Sequence, residues 1–319
     1  MQSSLKAYVH ALRFEADDII SVEFRPADGA VFPEFTAGSH IDLHLPNGLV
    51  RSYSLSNSTK DQQRYVVGVL KDRASRGGSR CVHEQLRVGQ KLLISTPRNN
   101  FPLHEDAAYS VLVAGGIGVT PVLCMARRLK DLDKHFEFLY FARSRKSAAF
   151  TADIEALGVP VTWHFDDEQG GPPNLHALLS RRAASATEHY YACGPSVMLD
   201  NFEKTCAALG HTQAHIERFS AVEVAASADA KASYTVELRT SGKTFEVTPD
   251  TTLHKQLIAS GVFIPFSCEE GICGSCETRV LEGEVDHRDS ILTPAERTAN
   301  TVMMVCVSGC KSQRLVLDL

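Results

Sequence analysis

Three closely spaced cysteines near the end of the chain constrain its fold more than any other feature. They occur in Ser267-Cys268-Glu269-Glu270-Gly271-Ile272-Cys273-Gly274-Ser275-Cys276, and a further thiol follows at Cys306. This C-x4-C-x2-C…C spacing fits a two-iron, two-sulfur (2Fe-2S) cluster. Small residues in the loop leave space for a flat cluster and let backbone N–H groups point at its sulfurs. The sequence therefore predicts a one-electron carrier at this end of the chain.

Spacing alone leaves the fourth ligand open, because Cys306 and Cys310 both lie in the last segment. Two other interpretations are that the cysteines are small buried apolar residues, or that they bind zinc. Zinc sites are usually built from paired Cys-x2-Cys units, and in the loop only Cys273 and Cys276 form such a pair. The iron–sulfur interpretation is therefore favoured.

Bulk composition predicts a cytoplasmic protein that binds neither nucleic acid nor membranes. The 319 residues carry a formal charge of −5 without a clustered basic face, which argues against nucleic acid as a partner. Nine scattered cysteines are not typical of a secreted disulfide framework, and the first residues contain no apolar signal-peptide core. The longest uncharged stretch, residues 111–126, is shorter than the roughly 20 apolar residues that a membrane span needs.

Hydrophobic periodicity divides the chain into three predicted domains. Residues 1–103 predict a small antiparallel β-barrel, with strands near 41–45, 49–54, 65–70 and 91–95 and a hairpin turn at Asn47-Gly48. Residues 104–222 alternate strand and helix patterns, with helices predicted near 148–157 and 196–209, which indicates an α/β domain with a parallel sheet. Thr120 and Pro121 are predicted as the N-cap and first residue of another helix.

The last part of the chain predicts a linker followed by a compact α+β domain. Residues 223–232 are small and polar, which favours a linker, although a short surface helix is an alternative. Residues 233–319 predict a hairpin, a helix at 252–260 and then the cysteine loop, which together give a compact α+β module.

A one-electron centre cannot accept a hydride directly, so a two-electron site is expected upstream. The strand motif Arg51-Ser52-Tyr53-Ser54 offers a guanidinium for a phosphate, an aromatic face for a planar ring and a hydroxyl for a ring nitrogen. The motif Arg76-Gly77-Gly78-Ser79-Arg80 precedes a predicted helix at 81–86, whose free N–H groups would form a phosphate site. Alone, each motif also fits an ordinary strand or turn.

A second glycine-rich motif, Ala114-Gly115-Gly116-Ile117-Gly118-Val119-Thr120-Pro121, joins a predicted strand to a helix. Its glycines would let the backbone approach a pyrophosphate at the helix N-terminus. The next strand ends in Arg143, Arg145 and Lys146 without an acidic residue, so the residues favour a nucleotide but leave NADH and NADPH unresolved. Cys193, in a sharp turn at the same sheet edge, is expected against a nicotinamide or simply in the core.

With these three motifs in this order, nearly the whole chain resembles the phthalate dioxygenase reductase family, which includes reductases of vanillate demethylases. The resemblance implies an FMN-binding β-barrel, an NAD-binding α/β domain and a C-terminal plant-type ferredoxin domain of the β-grasp type. It implies that electrons pass from NADH, with NADPH as the alternative donor, through FMN to the 2Fe-2S cluster. It implies no catalytic acid or base.

Carried over residue by residue, the resemblance assigns each site to positions of this sequence. Arg51 and Ser79 would hold the FMN phosphate, with Gly77 and Gly78 lining its turn, while Tyr53, Ser54 and the covering aromatic Phe219 would contact the flavin ring. The positions implied for the nicotinamide nucleotide are Gly116, Gly118, Thr120, Cys193 and Arg143. The implied cluster ligands are Cys268, Cys273, Cys276 and Cys306.

The electron acceptor is expected on another polypeptide. A Rieske centre needs Cys-x-His and Cys-x2-His, and no cysteine of this chain has a histidine three places on. We therefore expect a transient complex with a terminal Rieske-type oxygenase, docked in part through acidic residues around the cluster: Glu269, Glu270, Glu282, Glu284 and Asp286. An ordinary solvated face would explain these carboxylates equally well.

Two alternatives to this function follow from the same motifs. One is a FAD-dependent ferredoxin-type reductase that feeds a diiron hydroxylase. The other is a redox-sensing module whose reductase domains do not turn over.

Overall fold

The computed structural model describes residues 4–73, 75–221, 226–228, 230 and 233–319. It contains two compact units, the first ending at Phe219 and the second beginning at Ser220. The predicted linker at 223–232 falls largely outside the described residues, and the predicted domain boundaries remain predictions. Within the described ranges, no helix is both long enough and apolar enough to cross a membrane.

The first half of the larger unit is a curled antiparallel sheet in the order β4-β3-β6-β1-β2-β5, with β7 paired to β3. A bridge between Leu55, directly after β4, and Val67 in β5 joins the two ends of this order, so the sheet closes on itself as predicted. The elements are β1 (Ser4–Ala16), β2 (Ile19–Pro26), β3 (Ser39–His44), β4 (Val50–Ser54), β5 (Tyr65–Leu70), α1 (Gly78–Gln85), β6 (Lys91–Ser95) and β7 (Arg98–Asn99).

The second half is a parallel sheet in the order β10-β9-β8-β11-β12. The chain leaves β8 toward β9 on one side and returns to β11 on the other, which creates a crevice at their carboxyl ends. The elements are β8 (Tyr109–Gly115), α2 (Val119–Asp131), β9 (Phe136–Ala142), α3 (Thr151–Glu155), β10 (Val161–Phe165), α4 (Asp166–Gln169), α5 (Leu175–Leu179), β11 (Glu188–Cys193), α6 (Ser196–Leu209) and β12 (Ala214–Glu217). Short 3-10 turns occupy Gly116–Gly118 and Arg145–Ser147.

The smaller unit has a five-stranded mixed sheet in the order β14-β13-β19-β15-β17 and a two-stranded sheet of β16 and β18. The parallel pairing of β13 with β19 lies at the centre of the larger sheet. The elements are β13 (Tyr234–Leu238), β14 (Thr244–Val247), α7 (Leu253–Ala259), β15 (Glu277–Glu282), β16 (Val285–Asp286), α8 (Pro294–Ala299), β17 (Val302–Met304), β18 (Gly309–Cys310) and β19 (Arg314–Leu317).

Three hydrophobic cores hold these layers. One is continuous between the barrel and one face of the parallel sheet, and includes Phe24 and Tyr140. A second, around Phe202, fills the opposite face of the parallel sheet. The third, around Leu257 and Met303, lies within the smaller unit. Burial of these apolar side chains is the main force that holds each layer in place.

Two helices, α1 and α3, begin at residues other than the predicted ones, because the residue before each has a left-handed backbone conformation. Helix α1 begins at Gly78, three residues earlier than predicted, because Gly77 at φ +97° ends the preceding turn. Helix α3 begins only at Thr151, because Phe150 has a φ of +58° and cannot continue a right-handed helix backward.

Thr120 is not the N-cap of α2, contrary to the prediction. Gly118 occupies that position, and Thr120 lies inside the first turn, where its hydroxyl donates to the Ile117 carbonyl at 3.2 Å. The preceding 3-10 turn continues directly into α2, so the helix needs no side-chain cap. Pro121 falls in the same first turn, where its missing N–H costs no helical hydrogen bond.

Candidate functional site

The β3–β4 turn and the start of α1 form a cradle for an anion. A Cβ atom at Gly78 would lie 2.6 Å from Cγ of Arg51, so only glycine lets this arginine lie across the helix start. The Asn47 amide donates to the Gly77 carbonyl at 3.2 Å and joins the two segments. Arg51 and Gly78, 27 positions apart in the sequence, thus meet in space.

This cradle has the chemistry of a phosphate site. The first N–H groups of α1 have no partner within the helix and carry its positive dipole end. Ser79 lies in this first turn, and its hydroxyl also accepts from the Asp72 N–H at 3.2 Å. Arg51, one of whose N–H groups donates to the Val50 carbonyl at 2.8 Å, adds a fixed positive charge.

Tyr53 and Ser54 continue β4 beyond the cradle. Burial raises the pKa of the Tyr53 phenol well above its ordinary value, so the side chain stays neutral and offers an aromatic face. The Ser54 hydroxyl donates to a Glu217 carboxylate oxygen at 3.0 Å. The barrel strand is thereby linked to the last strand of the parallel sheet.

Glu217 is a site residue that the sequence did not single out. It ends β12, where it pairs in register with Cys193 at the end of β11, and the Cys193 sulfur lies 4.0 Å from the same carboxylate oxygen that Ser54 contacts. Burial raises the pKa of Glu217 to about 7, although the Ser54 hydrogen bond lowers it in part. The carboxyl group can therefore hold or release a proton near neutral pH.

The sequence carried little signal for this carboxylate. Strand β12 has only four residues and no fully buried side chain, so its pattern is too short to reveal a strand. An acidic residue that ends a parallel strand beside a glycine-rich crevice is the only clue, and it requires the strand to be recognised first.

The carboxyl ends of β8 and β11 form the crevice where a nucleotide is expected. A Cβ at Gly118 would lie 2.2 Å from the Cys193 carbonyl oxygen, and one at Gly194 would lie 2.9 Å from Cα of Gly115. Gly116 has a φ of +53°, and a Cβ there would face open space. The turns after β8 and β11 thus approach each other closely, while Gly116 has open space beside it. Binding of a pyrophosphate by the backbone requires such an arrangement.

The remaining predicted nucleotide residues lie at this edge with different surroundings. Thr120 is buried, and its methyl group lies 2.6 Å from the Cβ position of Gly68 in barrel strand β5. Arg143 directly follows β9 and is exposed. Its neighbour Arg145 is instead held by an ion pair to Glu168, 2.6 Å from nitrogen to oxygen. Arg143 is therefore the better placed of the two to meet a ligand.

Phe219 follows Glu217 by two residues at the end of the larger unit, and 39% of the residue is exposed. Since Glu217 reaches Ser54, this aromatic ring extends from a segment anchored beside the predicted flavin strand. Its covering role remains a prediction.

The cysteine loop of the smaller unit brings four thiols together. The Cys268 thiol hydrogen-bonds the Cys273 sulfur, and that bond lowers the pKa of Cys273. The Cys306 thiol in turn hydrogen-bonds the Cys276 sulfur and lowers the pKa of Cys276. All four are buried, and four convergent sulfurs fit a 2Fe-2S cluster.

Backbone donors and a glycine complete this thiol site. The Glu270 N–H lies 3.3 Å from the Cys268 sulfur, and the Gly271 N–H bonds the Cys306 sulfur. Gly271 has a φ of +68°, and a Cβ there would lie 2.7 Å from Val307 and 2.9 Å from Asp289. The loop is thus closely packed, and N–H groups that point at the sulfurs fit the electronics of an iron–sulfur centre.

Cys310 is placed away from this group of sulfurs. It lies in β18, paired in register with Val285, and its sulfur contacts the Ser312 hydroxyl at 3.2 Å. These contacts favour Cys306 as the fourth ligand.

Most of the acidic flank is neutralised within the smaller unit. Glu282 pairs with Arg239 and Arg314, Glu284 with Lys311, and Asp286 with Arg288. Glu269, in contrast, is exposed on the cluster loop with a φ of +58°. Of the carboxylates proposed for docking, those beyond the loop are therefore better explained by ion pairs on the surface.

Comparison with known proteins identifies relatives along the whole chain. Residues 236–311 match the Fer2 family, the 2Fe-2S iron-sulfur cluster binding domain. A vanillate O-demethylase oxidoreductase from Pseudomonas sp. (strain HR199 / DSM 7063) is 44% identical over 99% of this chain and 100% of its own length.

Two solved structures superpose on nearly the full chain. Phthalate dioxygenase reductase, described as a modular structure for electron transfer from pyridine nucleotides to [2Fe-2S], is 34% identical with a TM-score of 0.73, covering 99% of this chain and 98% of its own. An intact type IV self-sufficient cytochrome P450 monooxygenase is 38% identical with a TM-score of 0.90. The match covers 99% of this chain but only 41% of the P450 chain.

Proposed function

Because the chain belongs to the phthalate dioxygenase reductase family, we propose that it passes electrons from NADH to a separate terminal oxygenase of the Rieske type. The family makes it an NADH-dependent oxidoreductase with FMN and a 2Fe-2S cluster, and confirms the predicted fold class. The observation that carries the proposal is the presence, in one chain, of a phosphate cradle, a nucleotide crevice and four convergent thiols.

The barrel residues would bind and orient the flavin. Bound there, FMN would supply the chemistry that converts a two-electron hydride donor into a source of single electrons. Arg51, Gly77, Gly78 and Ser79 would hold its phosphate, because the cradle combines a guanidinium with free N–H groups. Tyr53 and Ser54, next along β4, would border its ring.

The crevice residues would position the nicotinamide nucleotide. Gly116 and Gly118 would admit the pyrophosphate, and Thr120 and Cys193 would border the nicotinamide. Arg143 would lie toward the adenosine. Glu217 would hold a proton at its carboxylate beside Ser54 and Cys193. The overall reaction does not require Glu217 to pass that proton to a substrate.

Cys268, Cys273, Cys276 and Cys306 would hold the cluster from which electrons leave. Glu269 and the 77% exposed Phe263, which precedes the loop by five residues, are the groups that we propose meet the oxygenase. An exposed aromatic side chain and an exposed carboxylate near the cluster ligands in the sequence suit a transient interface. Replacing Phe263 with Ser should slow electron transfer to the oxygenase and leave ferricyanide reduction unchanged.

The decisive experiment mixes the purified chain, a Rieske oxygenase and NADH, and measures hydroxylated or demethylated product together with anaerobic bleaching of the flavin. Product formation that depends on both proteins supports the proposal. If dithionite bleaches the flavin but NADH does not, the chain is a redox module without turnover. Acid extraction that yields FAD instead of FMN would favour the ferredoxin-type reductase of a diiron hydroxylase.

A haem monooxygenase is the second candidate acceptor, because the chain superposes with a TM-score of 0.90 on part of a self-sufficient cytochrome P450. The same assay with a P450 partner distinguishes the two acceptors by their rates. NADPH in place of NADH tests the nucleotide preference. The cytoplasmic location remains a prediction, and it is supported by the nine cysteines, all within the described residues, of which none forms a disulfide.

A further inference from the structure

Three histidines from separate segments meet on one side of the parallel sheet. His189 and His215 are the second residues of β11 and β12, and His104 lies in the connector before β8. One ring nitrogen of each lies within 4.8 Å of the others. Nδ1 of His189 and Nε2 of His215 are 2.9 Å apart, and the His104 ring centroid is 4.5 and 5.0 Å from those of the other two rings.

The surrounding structure holds these rings in place. The His104 backbone N–H donates to the Tyr191 hydroxyl at 2.9 Å, and the Tyr191 ring stacks on His215 with centroids 4.8 Å apart. Glu105, the next residue of the connector, forms an ion pair with Arg128 of α2 at 2.7 Å. The three imidazoles are therefore positioned by contacts outside the cluster itself.

We propose that His104, His189 and His215 bind a Zn²⁺ ion. Imidazole nitrogens are preferred zinc ligands, and three protein ligands with an open fourth position form a known coordination pattern. His104 is exposed, so water can fill the fourth position. Zn–N bonds in a tetrahedral site are about 2.0–2.1 Å long. The imidazole rings would therefore rotate slightly, so that the ring nitrogens that are now up to 4.8 Å apart come closer together.

The protonation state of the cluster suits a metal. At 2.9 Å, one of the two facing nitrogens of His189 and His215 carries a proton toward the other. To bind a metal, both of these facing nitrogens must offer a lone pair. The shared proton therefore moves to the other nitrogen of its own ring, and no proton is released to solvent.

The site is separate from the path of electrons. Cys193 and Glu217 lie at the carboxyl ends of β11 and β12, four and two residues beyond His189 and His215. At about 3.3 Å per residue, these spacings correspond to roughly 13 Å along β11 and roughly 7 Å along β12. The zinc would instead tie the connector, through His104, to two strands of the sheet, which is a structural role.

The test uses the full chain loaded with FMN and iron–sulfur cluster, treated with a chelator and then titrated with Zn²⁺. We expect one tight equivalent per chain and a rise in the thermal unfolding midpoint on zinc addition. Loss of a group that only hydrogen-bonds to a metal ligand already costs about 10–100-fold in metal affinity. His215→Gln and His104→Gln, which remove a ligand itself, should therefore each weaken binding by more than about 100-fold. His135→Gln, at an exposed histidine outside the cluster, is the matched control.

Free cluster cysteines also bind zinc, so each sample must first show full iron content. The exposed position of His104 makes His104→Gln the variant that keeps the fold, and NADH-driven ferricyanide reduction checks this. Anomalous diffraction at the zinc edge should place the ion among the three rings. A tight equivalent that persists in His104→Gln and His215→Gln, or no tight zinc binding in the iron-loaded chain, would overturn the proposal.

Discussion

At the scale of single residues, Glu217 lies in an unusual environment for a carboxylate. Its carboxylate accepts from Ser54 at 3.0 Å, faces the Cys193 thiol, and has a pKa raised by burial to about 7. The folded pKa lies above the ordinary value of 4.5, so the folded state binds this proton more tightly than the unfolded chain does. The resulting stability is complete below about pH 4.5 and is lost as the pH rises through 7.

Replacing Glu217 with Gln should remove that loss, because the amide cannot ionise. A pKa difference contributes about 1.4 kcal/mol per unit, and solvent around this half-buried group reduces that contribution. Between pH 5 and pH 8, the free energy of unfolding should therefore change by about 1–3 kcal/mol less in the variant than in the parent. Thermal unfolding midpoints at the two pH values measure this. Ser54→Ala should raise the pKa further and steepen the dependence, whereas Ser52→Ala, whose hydroxyl bonds Asp42, should leave it unchanged. Equal pH dependence in all four proteins would contradict the assignment.

Cys306 and Cys310 form a matched pair for testing the fourth cluster ligand. The Cys306 sulfur contacts Cys276, whereas that of Cys310 contacts Ser312. Cys306→Ser should abolish the visible absorption of the cluster and the reduction of cytochrome c, yet spare reduction of ferricyanide by the flavin. Cys310→Ser should keep both activities. An intact cluster in Cys306→Ser would move the fourth ligand to Cys310.

At the scale of secondary-structure elements, the turn between β8 and α2 depends on its contact with the end of β11. Gly118 has an ordinary φ of −61°, so alanine there would introduce no backbone strain. Its Cβ would nevertheless lie 2.2 Å from the Cys193 carbonyl oxygen. Glycine is therefore required by the close approach of two elements and not by the local conformation.

Gly118→Ala should separate this turn from β11, lowering the free energy of unfolding by about 1–3 kcal/mol through overpacking and weakening NADH binding. Chemical denaturation and NADH titration of the two-electron site measure the two effects. Gly116→Ala is the comparison in the same turn, because its added methyl meets open space and only the φ of +53° is strained, at a cost of about 1 kcal/mol. A Gly118→Ala protein as stable as the parent would mean that the turn relaxes freely.

At the scale of the whole molecule, each compact unit has a hydrophobic core of its own. The cores around Phe24 and Phe202 lie in the unit that ends at Phe219, and the core around Leu257 lies in the unit that begins at Ser220. A unit with its own buried core can fold independently. The flavin and cluster functions should therefore be separable.

A chain truncated after residue 221 should fold, bind FMN and reduce ferricyanide with NADH, but it should not reduce cytochrome c. Residues 220–319 alone should assemble a cluster with the absorption spectrum of the full chain. Gel filtration, flavin content and iron content measure these outcomes. An insoluble truncated chain would show that the two units stabilise each other.

Much of the fold was predictable because its signals are local. Strands Tyr65–Leu70 and Lys91–Ser95 and helix Ser196–Leu209 have the bounds that the sequence predicts, since alternating or helical apolar patterns with clear end signals span them. Strand β12 and the short helix α4 lack such patterns. The start of α2 differs because a 3-10 turn, not a capping side chain, begins the helix.

The sequence by itself determined the family, the order of the sites and the cysteine loop, because each motif is a contiguous run whose chemistry depends on spacing along the chain. Only the tertiary structure decided which residues from distant segments meet. Arg51 lies on Gly78, Glu217 joins Ser54 to Cys193, Cys306 instead of Cys310 reaches Cys276, and three histidines converge on one sheet face. These contacts depend on strand register and sheet order, which are set by packing of the whole core and not by any local pattern.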